Sequence, residues 1–218
     1  MRMDVTIDLP DVVLQGDLTV PEEATGLVIF AHGSGSSRHS PRNRYVAERI
    51  NAAGVGTLLM DLLTVEEEHV DEFTREIRFN IPLLAGRVAQ AVNWVRSNPD
   101  LSSYTIGLFG SSTGAAAALI AAAELPPGVV KTVVSRGGRP DLADRYLPRV
   151  GCPILLIVGG DDHEVLALNE QAQKRMICEA KISIIPGATH LFEEPGALEM
   201  VALTAAVWFQ KKLSSAKK

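Results

Sequence analysis

The chain has 218 residues, 46% hydrophobic and 22% charged, a balance ordinary for a globular protein with a well-buried core. Its net charge of −5 argues against a general nucleic-acid binder, and the tail pairs Lys211-Lys212 and Lys217-Lys218 read as a solvated helix end. Met1-Arg2-Met3-Asp4 does not open a signal peptide and no apolar run reaches membrane-spanning length, so neither secretion nor a membrane partner is expected and a cytoplasmic enzyme is the default.

Val5 to Leu9 and Val12 to Val20 alternate in hydrophobicity around Pro10-Asp11 and predict two antiparallel strands. Leu27 to Ala31 is a continuous apolar run, the mark of a strand covered on both faces. The loop His32-Gly33-Ser34-Gly35-Ser36-Ser37 follows, then a helix near Asn43 to Ala53. Arg38 stands where a dinucleotide fingerprint needs its third glycine, and no P-loop lysine follows, so the loop does not read as a nucleotide site. Gly56 to Leu62 predicts another strand. Within the acidic connection Thr64 to Glu76, the stretch Glu66 to Glu72 reads as a solvated surface segment, with a flap folded beside the ligand-binding edge as the alternative. Ile81, Leu84, Ala85, Val88, Val92 and Val95 then recur at helical spacing, in a helix from about Pro82 to a stop at Asn98-Pro99.

The apolar run Tyr104 to Phe109 leads into Gly110-Ser111-Ser112-Thr113-Gly114 and the Ala-rich helical stretch Ala115 to Ala123. Strand, G-x-S-x-G, helix is the sequence form of a nucleophile elbow, which pushes its central serine into a strained, exposed position. Further strands are predicted at Lys131 to Ser135, Pro153 to Val158 and Ile182 to Ile185. The closing helix carries Leu198, Val201, Ala205, Trp208 and Leu213 on one side. Strands alternating with helices imply a parallel sheet wrapped on both faces, in a single domain spanning residues 1–218.

Ligands of such a sheet bind beyond the carboxyl ends of its strands, so the polar residues there are the candidates. Ser112 is the candidate nucleophile. Asp162, after the strand ending at Val158, is the candidate acid, and His190, after the last strand, the candidate base. The N–H groups of Ser34 and Thr113 are placed to form an oxyanion hole. Cys152 and Cys178 lack C-x-x-C spacing and read as reduced thiols; the histidines lack metal-ligand spacing, so neither metal nor organic cofactor is expected.

On the elbow, the segment Gly159-x-x-Asp162-x-x-Val165 and the turn Gly187-Ala188-Thr189-His190, the chain resembles the α/β-hydrolases, and within them the dienelactone hydrolase family. The resemblance implies a three-layer α/β/α hydrolase fold with a mostly parallel sheet of about eight strands. It also implies a catalytic triad of Ser112, Asp162 and His190. One departure matters: dienelactone hydrolase itself uses a cysteine nucleophile, which favours ordinary ester chemistry for a chain with Ser112. The stretch His32 to Asp61 also resembles hydrolase domains fused to phosphoribosyltransferases, but no diphosphate-binding signature accompanies it.

Ser135 to Pro153 holds only enough chain for one short helix, so no cap domain is expected and the substrates should be small esters, thioesters or lactones. Arg136 and Arg139, with His39 beside Arg38, Arg42 and Arg44, lie on loops flanking the nucleophile and suggest an anionic small-molecule substrate. Two other readings share these residues: an acyltransferase using the same triad, and a non-catalytic ligand-binding protein on the same fold. Oligomeric state is not legible in the sequence.

Overall fold

The computed structural model describes residues 1–214; the expectation for Lys217-Lys218 lies outside the described residues. Eight strands form one sheet: β1 (Arg2–Asp8), β2 (Val13–Thr19), β3 (Gly26–Ala31), β4 (Gly56–Met60), β5 (Thr105–Ser111), β6 (Val130–Arg136), β7 (Ile154–Gly159) and β8 (Ala180–Ile185). Their spatial order is β1-β2-β4-β3-β5-β6-β7-β8. β1 and β2 are antiparallel, β2 meets β4 antiparallel, and every pairing from β4 through β8 is parallel. The long apolar runs are the central strands: every residue of β3, β4 and β7 is buried. Helices cover both faces of a parallel sheet, so these strands have no polar side to show.

One face packs against α1 (Pro41–Ala52) and α6 (Ala197–Leu213), through Val28, Phe30, Phe109, Val134 and Ile157 on the sheet. Phe30 and Phe109 stack there with ring centroids 4.6 Å apart. The other face packs against α3 (Ile81–Ser97) and α4 (Thr113–Glu124), with α5 (His163–Arg175) beyond them. Between β6 and β7 the chain makes a 3-10 segment, Pro140–Arg149, and no cap domain.

The acidic connection departs from its sequence reading. Val65–Thr74 is a helix, α2, rather than a solvated connection. Thr64 and Glu67 form a capping box at its start, satisfying two orphan N–H groups reciprocally. The Glu67 carboxylate then receives Arg87 of α3 at 2.6 and 2.7 Å, which fastens α2 to the body. Hydrogen bonds from the buried Arg87 hold that carboxyl below its ordinary range.

The tightest packing lies at the end of β5. A Cβ on Gly110 would sit 2.3 Å from the Ala115 Cα, and one on Gly114 would sit 2.3 Å from the carbonyl oxygens of Ala31 and His32. These contacts are with backbone, which cannot yield. Gly114→Ala should therefore cost about 2 kcal/mol or more and lower Tm by roughly 4–8 °C in a calorimetric melt. The opposite sign is expected at Gly86 in α3, which has nothing within 4 Å of its virtual Cβ. Gly86→Ala should stabilise by about 0.5–1 kcal/mol through reduced unfolded-state entropy.

Candidate active site

Ser112 joins β5 to α4 with φ 51° and ψ −120°, a conformation an L-residue adopts only under constraint. The glycine contacts above supply the constraint, together with backbone bonds. The Ser112 N–H donates to the Arg136 carbonyl at 3.1 Å, and the Ser112 carbonyl accepts from the N–H groups of Ala115 and Arg139, each at 3.1 Å. The elbow is thus fixed by β6 as well as by its own helix. Its side chain stays partly exposed while Ser111 and Thr113 beside it are buried.

His190 lies on the loop after β8, and its Nδ1 meets the Asp162 carboxylate at 2.7 Å. Asp162 is the residue preceding α5, and Asp161 points elsewhere, exposed, with its N–H bonded to the Ala188 carbonyl. An aspartate bonded to Nδ1–H leaves Nε2 as the basic nitrogen. Gly137, after Arg136, admits this imidazole closely: a Cβ there would lie 3.5 Å from the ring. The ends of β5, β6, β7 and β8 therefore gather the serine, the histidine and the carboxylate at one edge of the sheet.

The two N–H groups expected to bind an oxyanion also lie together, with one difference. As the first residue of α4, Thr113 has an N–H with no intrahelical acceptor. The Ser34 N–H instead donates to the Thr113 hydroxyl at 3.0 Å, and the Ser34 and Thr113 hydroxyls are 2.8 Å apart. Gly33 lets this loop approach, since its virtual Cβ would be 3.2 Å from the Ser112 Cβ.

His32, which sequence reasoning passed over, holds that loop. It is buried, its Nε2 accepts the Leu62 N–H at 3.0 Å, and its Nδ1 lies 2.9 Å from the Gly33 carbonyl. Burial pushes its pKa below the usual 6.5, only partly offset by the Gly33 carbonyl and Asp61. It is a neutral clamp between the ends of β3 and β4. Beside it opens a cavity of about 380 Å³, lined by Gly33, Ser34 and His39 on one side and by Glu68, Asp71 and Arg78 on the other. The acidic helix α2 is a wall of this cavity. The capping box Thr64-x-x-Glu67 was the signal that would have found it.

The expected cluster of free arginines is mostly neutralised. Arg139 forms a two-pronged pair with Asp141 at 2.9 and 2.7 Å, so it is engaged within its own loop. Arg38 binds Asp17 and Asp61, and Arg44 binds Asp17. His39, exposed at the cavity rim, is 2.6 Å from Arg44. Arg136 is different: it is 9% exposed and has no ion pair among the described residues. Both thiols are raised by burial, Cys152 to about 12, and lie away from this edge. No group of three or more metal-ligating side chains occurs among the described residues, and no described helix is long and apolar enough to cross a membrane.

This architecture is that of the α/β-hydrolases: Est1E of Butyrivibrio proteoclasticus shares the fold at a TM-score of 0.81 and 17% identity, over 97% of this chain and 99% of that one. A family model described as the dienelactone hydrolase family matches residues 14–214, and the chain belongs to that family. It is similar to a dienelactone hydrolase from Anabaena variabilis, with 54% identity and a TM-score of 0.95, over 97% of this chain and 98% of that one. It is also 54% identical over 206 residues to a Mycobacterium tuberculosis protein with a provisional phosphoribosyl transferase name. That match takes in 94% of this chain and 45% of the relative, so the chain spans about half the length of the curated relatives it matches.

The His32 clamp has a measurable consequence. A depressed folded pKa means that the unfolded state binds the proton first, so stability is lost as pH falls below 6.5. A pH series of denaturant midpoints between pH 7 and 5, above the range of ordinary carboxylates, should show that loss. His32→Gln keeps an acceptor for the Leu62 N–H without a titrating ring. It should flatten the series; an unchanged slope would assign the loss to another group.

Proposed function

We propose that the chain is a serine hydrolase of small carboxylic esters, thioesters or lactones, working through an acyl-enzyme. The observation that carries this reading is the 2.7 Å His190–Asp162 pair, set at the same sheet edge as a serine held at φ 51°. In the proposed reaction the Ser112 hydroxyl attacks the acyl carbonyl and His190 Nε2 takes its proton. Asp162 holds the imidazole tautomer and stabilises the imidazolium. His190 then protonates the leaving alcohol or thiol, and a water activated by the same nitrogen releases the acid.

The Thr113 N–H and the Ser34 N–H are assigned to the oxyanion. The second must leave the Thr113 hydroxyl to do so. A charge-assisted bond to a developing oxyanion is stronger than a bond to a neutral hydroxyl, so the exchange favours the transition state over the resting enzyme. The cavity beside Gly33 and Ser34 has room for a small substrate group. The dienelactone hydrolase kinship supports hydrolysis of an acyl bond, while Ser112 favours esters over the lactones of the family name. The transferase name of the M. tuberculosis relative is not carried over, because the match takes in less than half of that protein.

Ser112→Ala should lower kcat on short-chain phenyl esters by about 10⁴–10⁶ with an unchanged melting curve. Asp162→Asn should cost about 10⁴ through loss of tautomer control, while Asp161→Asn should be nearly silent. Comparable losses in the two aspartate variants would refute the assigned triad. Mass spectrometry of a quenched reaction should find the acyl group on the peptide containing Ser112.

A further inference from the structure

The Ser34 loop is tied to the segment after α2 by a chain of hydrogen bonds whose directions are all set at one end. Ser34 lies between Gly33 and Gly35, the latter at φ 66°, and makes no backbone-to-backbone hydrogen bond among the described residues. A glycine on each side leaves the chain free to turn, so the place of this residue rests on its side chain. The Ser34 hydroxyl is 3.3 Å from the carbonyl of Arg78, in the 3-10 turn Ile77–Phe79 that follows α2. A carbonyl only accepts, so Ser34 gives its proton there. Ser34 Oγ is then the acceptor for the Thr113 hydroxyl at 2.8 Å. Thr113 Oγ1, its own proton given away, turns a lone pair to the Ser34 N–H at 3.0 Å.

The far end of this chain is anchored by Asp71, the one buried residue of α2, which is 2% exposed. Asp71 holds Arg78 by three nitrogens: the Arg78 N–H donates to Oδ1 at 3.1 Å, Nε to Oδ2 at 2.5 Å, and Nη2 to the Asp71 carbonyl at 3.1 Å. The Ile77 N–H adds a further bond to Oδ1 at 2.7 Å. Arg78 Nη1 also lies against the loop itself, 3.0 Å from where a Cβ on Gly35 would stand. We propose that Arg78, fixed by Asp71, is a positioning residue: through the Ser34 hydroxyl it aims the Ser34 N–H at the developing oxyanion. This rests on the serine-hydrolase reading above. The tether runs through the hydroxyl, so the N–H passes from Thr113 to the oxyanion while the residue stays held. A donor aimed in advance acts on the transition state more than on the bound ester, so its effect falls on kcat rather than KM.

Asp71→Asn loosens the anchor and Ser34→Ala cuts the link, and neither removes the Ser34 N–H. Each should lower kcat on a short-chain phenyl ester about two- to tenfold with KM little changed, the range of one neutral hydrogen bond. The double variant should lose no more than either single one, since both break the same chain. Losses that multiply, an unchanged kcat in Asp71→Asn, or a loss confined to KM would overturn the proposal, because a wall that only shapes the cavity acts on binding. Arg78→Met replaces Asp71→Asn if that variant does not fold. Amide exchange on protein carrying isotope-labelled serine gives a readout that needs no turnover. The Ser34 N–H should exchange about tenfold faster in Asp71→Asn, while the Ser112 N–H, bonded to the Arg136 carbonyl, keeps its rate. If no ester is turned over, the hydrolase reading fails on its own and this exchange decides the positioning. Acceleration at Ser34 alone upholds it; an unchanged Ser34 rate, or equal acceleration at both serines, ends it.

Discussion

The site depends on one close approach: the backbone of β5 against the first turn of α4 and the end of β3. Gly110 and Gly114 allow contacts that no Cβ would survive, and the turn between them forces Ser112 to a positive φ. That strain is held by bonds from β6, through the Arg136 carbonyl and the Arg139 N–H. The loops after β3 and β6 are positioned relative to the same serine by the same contacts. A change at either glycine would therefore move the Ser34 loop, the Arg136 segment and Ser112 together.

Electrostatics at this edge are sorted by pairing rather than by the number of charges. Most arginines near the serine carry a carboxylate partner: Arg38 and Arg44 share Asp17, Arg78 binds Asp71, and Arg139 binds Asp141. These pairs tie loops together and leave little field for a ligand. His32 is kept neutral by burial, as befits a clamp that accepts a backbone N–H. Arg136 breaks the pattern.

Much of the fold was legible because parallel strands buried on both faces must be continuously apolar, as Leu27 to Ala31 and Ile154 to Val158 are. The strand-turn-helix around Ser112 was legible for a similar reason, since glycines at fixed spacing mark a backbone contact. The helix α2 was not. Its composition is that of a solvated face, and its packing depends on Glu67 meeting Arg87 of α3. A polar helix held by two ion pairs, Glu67 with Arg87 and Asp71 with Arg78, and a cap has no hydrophobic period to announce it. The second opening strand was read within a residue at each end, and the first begins three residues before its predicted start; one face of the pair alternates against the core while the other meets solvent.

By itself the sequence determined the alternation of strands and helices, the elbow serine, and the order in which Asp162 and His190 follow it, because local spacing and backbone sterics act within a few residues. Only the tertiary structure decided which groups meet. Asp162 rather than Asp161 meets His190, at 2.7 Å across two loops. The Ser34 N–H is taken by a hydroxyl 79 residues away, and Arg139 is neutralised while Arg136 is left bare. Charges and hydrogen bonds act over a few ångströms in space irrespective of chain distance, so their partners are set by the folded geometry and not by composition or spacing.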